Sequence, residues 1–315
     1  MTNRKKKRPP SGGYREPRPA PAKDPAPRRG FLDQFLTPRA TADSAMPKLR
    51  TSVARGCVTV AGIPTFVIGT FALLFVLWVI LVALGYQGPF ATFVSALALP
   101  PLGTSFDATL ATSIFGLQGG IVGITAFVLF RGVVIALLTA AVVEALDTGR
   151  VTRASLPSGL RALPVSLATS VIGVAFLTLS SFFAPLLGPG FGILIQVGGL
   201  VLGVYLFVFA PVIAVAERRT LPDCLTRSMR AARLPGVGNL GMAALYVIPA
   251  IAIIVAPGKP GNVIGVNPTA AAWAFVLVVN LLHVAMLAAF AFRYLAVADE
   301  VPEASPRARA ADRRR

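Results

Sequence analysis

The sequence predicts an all-α polytopic membrane protein: six transmembrane helices, short cytoplasmic interfacial helices and a disordered basic N-terminal tail. Three observations predict it. Of 315 residues, 55% are hydrophobic and 14% charged, with a mean hydropathy of +0.72; soluble domains carry about 25% charged residues. Apolar runs long enough to cross a bilayer, which takes about 20 residues, fill most of the chain between the two ends. The charges that remain are gathered into those ends and two short internal stretches. A soluble enzyme, a collagen-like chain and a disulfide-rich secreted domain are thereby excluded.

Residues 1–56 form the tail. They hold 14 of the 30 basic residues, and the first thirty contain seven prolines and almost no large aliphatics. Such a segment cannot bury enough apolar surface to offset its ordering entropy. The cluster Arg4-Lys5-Lys6-Lys7-Arg8 lacks interleaved aromatics, so no nucleic acid partner is expected; contact with anionic membrane lipids is. Arg28-Arg29-Gly30-Phe31-Leu32 has the look of a twin-arginine export signal. Asp33, Arg39, Asp43, Lys48, Arg50 and Arg55 intervene before the first long apolar run, so the match is coincidental.

The six spans are expected at about 59–86, 117–146, 162–187, 191–216, 238–256 and 270–297, making 57–297 the membrane domain and 298–315 a cytoplasmic tail. Gly88-Pro89 and Gly188-Pro189 mark turns between them. Alternate connections are basic: Arg150, Arg153 and Arg161 after the second span, five arginines in 217–237, and five more in the C-terminal tail. With the N-terminal tail, 27 of 30 basic residues fall on one side, and Lys259 is the lone basic residue in the opposite loops. The excess of basic residues on the cytoplasmic side places both termini in the cytoplasm, in the plasma membrane. The loop from Tyr86 to Gly116, rich in apolar residues, is expected to lie against the outer surface of the bundle, with an amphipathic turn around Leu110 and Ile114.

Each span leaving the cytoplasm follows a short basic amphipathic stretch: Met46–Arg55, Ser155–Leu163 and Leu221–Arg233. In the third, Thr220 and Asp223 have capping spacing and Pro222 stands in the first turn. Leu221, Leu225, Met229 and Ala232 form its apolar face. Arg227, Arg230 and Arg233 lie off that face and are candidate lipid-headgroup contacts. The pattern of interfacial stretch, span, outer turn and span recurs three times, with little residue identity between the copies. Cys57 and Cys224, far apart and without metal or redox spacing, are read as inert thiols at the cytoplasmic face.

Phe209-Ala-Pro-Val-Ile-Ala-Val-Ala-Glu217 running into Asp223-Cys-Leu-Thr-Arg-Ser-Met-Arg230 resembles the membrane domain attached to some glycerophosphodiester phosphodiesterases, and the six-helix bacterial membrane proteins related to it. Cys224 stands where a small Ala is usual, and Arg218-Arg219 replaces a small residue. No soluble region here could hold the phosphodiesterase barrel. The resemblance therefore implies a fold and a location, and no catalytic activity.

Polar residues inside the spans are the candidate site: Arg131, Gln196, Asn280 and His283. Asn280 and His283, three apart, share a helix face. Arg131 has two open readings. It snorkels from within one turn of the outer interface, or it pairs with Glu217 or Asn280 or meets an anionic ligand in a cavity. Glu144 and Glu217 are expected to pair with arginines at cytoplasmic helix ends. Gly199-x-x-x-Gly203, Gly116-x-x-x-Gly120 and Gly119-x-x-x-Gly123 permit close helix contact; Pro211 and Pro249 interrupt spans. No catalytic set, cofactor motif or metal-ligand spacing is present, so no enzyme is expected. The expected function is a non-catalytic membrane scaffold or accessory protein with a membrane-protein partner. The alternative is a transporter or lipid-handling protein with a midplane cavity around Arg131.

Overall fold

The structure, a computed structural model, describes residues 46–103, 106–107, 121–234, 238–259 and 268–301. The chain divides into two units, Met1–Ala40 and Thr41–Arg315, and every described residue belongs to the second. The basic tail to residue 45, the turn around Leu110 and Ile114, the start of the second span at 117–120, the Gly116–Gly120 motif, Gly119 and the tail beyond 301 lie outside the described residues.

Those residues are helical, with no strand among them. The helices are α1 (Leu49–Gly62), α2 (Pro64–Ala83), α3 (Ile121–Thr148), α4 (Ser155–Leu187), α5 (Pro189–Phe207), α6 (Ala210–Glu217), α7 (Leu221–Ala232), α8 (Gly238–Val255) and α9 (Ala270–Leu295). Among the described residues, six helical stretches are long and apolar enough to cross a bilayer: Pro64–Ala83, Thr125–Thr148, Ser155–Phe182, Gly190–Glu217, Gly238–Val255 and Ala270–Leu295. Large apolar side chains such as Ile68, Phe75, Val79, Leu179, Phe182, Leu194 and Leu245 stand exposed on their outer faces. A surface this apolar belongs in hydrocarbon. The protein is an integral membrane protein.

Local chemistry sets where the helices break. Pro64 lacks an N–H, and Ile63 before it is extended (φ −116°, ψ 102°). The first span therefore starts at 64, and residues 59–62 belong to α1. At the other end of α2, Gly85 takes φ 87°, and Tyr86 N and Gly85 N donate to the carbonyls of Leu81 and Val82. That pattern closes a helix and favours glycine at the left-handed position. Pro211 near the start of α6 divides the fourth span into α5 and α6. At this bend the Leu206 carbonyl accepts from the Ser228 hydroxyl of α7 at 2.7 Å.

The interfacial stretches differ from expectation. Ser155–Leu163 forms the first turns of α4, which runs unbroken for 33 residues. Residues 49–55 of the first stretch form the first turns of α1, which packs along α9. A Cβ at Gly56 would sit 2.2 Å from the Ala285 carbonyl oxygen and 2.9 Å from Ala289 N. Glycine there lets the two backbones touch. α9 is the innermost span: 61% of its most apolar window is buried, against 33–50% in the others. Its basic-end half carries a run of small buried residues, Ala285, Ala288, Ala289 and Ala291.

Candidate functional site

The segment after α2 is the largest departure from the expected topology. Residues 90–103 lie within the bundle and do not rest on its outer surface: Phe90, Ala91, Phe93, Ala96 and Ala98 have no exposed surface. The segment enters beside the start of α9, where Phe90 packs on Trp273 with ring centroids 4.6 Å apart. Phe93, Phe106 and Trp78 extend that aromatic contact. From there a 3₁₀ turn (Phe90–Ser95) carries the chain to Asn280, ten residues and about 15 Å along a helix of 26 residues. This is a re-entrant segment, apolar enough to be buried and too short to span.

A non-helical backbone cannot be exposed to hydrocarbon, because each unpaired N–H or C=O there costs several kcal/mol. The protein satisfies it with polar side chains from three spans. Asn280 accepts from Leu97 N (2.9 Å) and donates to Phe93 O and to Val276 O (both 2.8 Å). His283, one turn on, places Nε2 3.1 Å from Val94 O. A carbonyl only accepts, so Nε2 carries the proton and Nδ1 accepts from the Tyr246 hydroxyl at 3.0 Å. Tyr246 oxygen in turn accepts from Leu99 N at 2.8 Å. Three links thus run from one backbone through two rings back to itself, and each donor has an acceptor.

Arg131 completes the cage. Its guanidinium is 1% exposed, donates through Nη1 to Ala98 O and through Nη2 to Ser95 O (3.5 Å), and pairs with Asp107 at 2.7 Å. It lies over the Phe127 ring, 5.4 Å from the centroid. A Cβ at Gly103 would fall 1.2 Å from Nη2, so glycine makes the space for it. The snorkelling reading of Arg131 is corrected, as are Glu217 and Asn280 as its partners: Asp107 is its counter-charge, and the desolvated cation is matched by a carboxylate and two carbonyls. Burial pushes the Asp107 carboxyl up to about 7, against the pull of Arg131.

Three of the four candidate residues, Arg131, Asn280 and His283, therefore converge on residues 93–98. Gln196 does not join them; it donates to Ser181 Oγ at 3.3 Å across α4 and α5. Tyr246 and Asp107 complete the cluster, and the sequence reading overlooked both. Tyr246 looks like one more aromatic of an apolar span, and Asp107 like a lone charge in a peripheral loop.

A second polar cluster sits at the basic end. Glu217, at the end of α6, accepts from Arg219 Nε (2.5 Å), from Arg227 Nε (2.8 Å) and from the Tyr294 hydroxyl of α9. Arg227 also donates to Ala298 O (2.7 Å) and Val301 O (3.1 Å). Its guanidinium is turned inward and pins the segment after α9, which corrects its assignment as a headgroup contact. The buried face of α7 is Cys224, Arg227, Ser228, Ala231 and Ala232, while Leu221, Leu225 and Met229 are half-buried. The helix is docked on the bundle through that face. Arg230 is half-buried and Arg233 exposed. Thr220 donates to the Asp223 carboxylate at 2.9 Å and caps no backbone N–H. Glu144 accepts from Thr152 through both its N–H and hydroxyl, not from an arginine. Arg293, unremarked in sequence, is buried near the end of α9 and donates to Asn239 Oδ1 (3.1 Å) and Pro47 O (2.6 Å).

Comparisons with family models, with curated proteins and with solved structures return no match.

Proposed function

We propose that this integral membrane protein is a non-catalytic scaffold or accessory protein, with both termini in the cytoplasm and its basic face toward anionic lipid and a membrane-protein partner. One observation carries the reading. Arg131, Asn280, His283 and Tyr246, the polar side chains gathered around the middle of the bundle, are engaged with the protein's own backbone. A transporter for a polar substrate needs such groups turned toward a cavity. Here they hold a re-entrant segment in place.

The charge distribution supports the rest. Arg150, Arg153, Arg161, Arg218, Arg219 and Arg230 gather at one end of the helices, while Lys259 at the other end donates to the Ile254 carbonyl at the close of α8. The orientation follows from that asymmetry, and the resemblance to the phosphodiesterase membrane domain fits a span-and-anchor role without chemistry.

Native mass spectrometry of the protein extracted in native lipid discs tests the reading. The expected result is a protein partner at fixed stoichiometry, lost or weakened when residues 1–45 are removed. A chain with no protein partner that carries solute flux in proteoliposomes would overturn it. A fluorescent protein fused after Arg315 reports the orientation independently, through its protection from protease in intact cells.

A further inference from the structure

Beside the inner tip of the re-entrant segment, between α4 and α5, lies a pocket of about 180 Å³. Pro100 and Pro101 face it from the segment, Phe176 from α4, and Leu202, Gly203 and Leu206 from α5. Thr169 contributes the one polar side chain in the lining, and its hydroxyl already donates to Ser166 O at 3.0 Å. The other side chains of the wall are apolar, and little polar surface shows between them. An apolar cavity of about 150 Å³ stays dry and accepts a benzene-sized molecule, so this one takes hydrocarbon and rejects water.

The pocket opens toward lipid. Leu202 is 48% exposed, and Ile172, Phe176 and Phe207 around it are half-buried. Its depth is equally telling. Thr169 lies eight residues beyond Arg161 on α4, and Pro211 seven before Arg218, about 10–12 Å from the arginine level. Phe176 is about 10 Å deeper again. The pocket thus lies at acyl-chain depth, below the headgroups and within a hydrocarbon layer of about 30 Å.

We propose that the pocket is a binding site for one alkyl chain of a membrane phospholipid. Its apolar wall excludes a headgroup or polar metabolite, and the molecule that meets its mouth in the bilayer is a phospholipid. The chain end would rest on Pro100 and Pro101. The residues just before them, Ala98 and Leu99, are held by Arg131 and Tyr246. Lipid occupancy and the polar cage therefore act on adjacent residues of one segment. This inference stands whether or not the accessory reading does.

The test uses the full chain in discs of phosphatidylcholine carrying a photoactivatable diazirine at mid-chain, with adducts mapped by mass spectrometry. The expected adducts concentrate on α4 and α5 around Ile172, Leu202 and Leu206. They are lost in Gly203→Leu, which fills the pocket; a Cβ at Gly203 meets no atom nearer than Pro101 Cγ at 3.8 Å. Gly203→Ala retains them. Ile172→Phe closes the pocket from α4 and gives the same loss should Gly203→Leu fail to fold. Adducts spread evenly over lipid-facing positions such as Val76 and Ile80, unchanged in the variants, would overturn the proposal.

Discussion

Asn280 shows how much one side chain can determine in a membrane protein. Its amide satisfies Leu97 N and Phe93 O at once, and no water replaces it in hydrocarbon. Asn280→Leu therefore leaves one buried donor and one acceptor unpaired and destabilises the fold by about 2–4 kcal/mol, measurable as a lowered unfolding midpoint in detergent. Arg131→Leu strands Asp107 and costs about 3–5 kcal/mol. Adding Asp107→Asn recovers part of that loss, and a double-mutant cycle gives the coupling between the two. The same pair has a pH signature. A carboxyl raised to about 7 in the folded state holds its proton more tightly than in the unfolded chain. Its contribution is greatest below its ordinary value near 4 and is lost as pH rises through about 7. The unfolding midpoint should fall over that interval, and Asp107→Asn should flatten the dependence.

At the scale of elements, the stretches Met46–Arg55 and Leu221–Arg233 are expected from sequence to lie flat at the interface, and the helices that contain most of them, α1 and α7, are docked on the bundle. The reason is close packing that amphipathicity alone does not reveal. Gly56→Ala would drive a methyl into the Ala285 carbonyl and separate α1 from α9, whereas Gly62→Ala, with nothing within 4 Å, should be tolerated. Thermal unfolding of the two variants separates these outcomes. α7 gives a chemical contrast: Cys224 is buried in it, and burial pushes its thiol up to about 11, while Cys57 on α1 is exposed. A membrane-permeant maleimide should modify Cys57 in the folded protein and reach Cys224 only after unfolding. Equal labelling of both would mean that α7 leaves the bundle readily.

For the molecule as a whole, the six spans and the uneven charge were legible in the chain, since hydropathy and charge are sums over neighbouring residues. Pro211 also marked a break, because a missing N–H acts locally, whereas the break at Pro64 lies inside the span expected at 59–86. Asn280 and His283 were recognised as one face from their spacing, and Arg131 as an outlier from its cost. What they bind was not legible. Leu97 and Asn280 are 183 residues apart, and Leu99 and Tyr246 are 147 apart. An apolar stretch with prolines reads alike whether it rests outside a bundle or threads into it. Asp107 had no feature in sequence that singled it out as the counter-charge of Arg131. The sequence by itself determined that the chain enters the membrane and which helices cross it. Only the tertiary structure decided that its polar residues face inward onto a re-entrant backbone, because hydrogen-bond partners are chosen by proximity in space and each buried peptide group must find one.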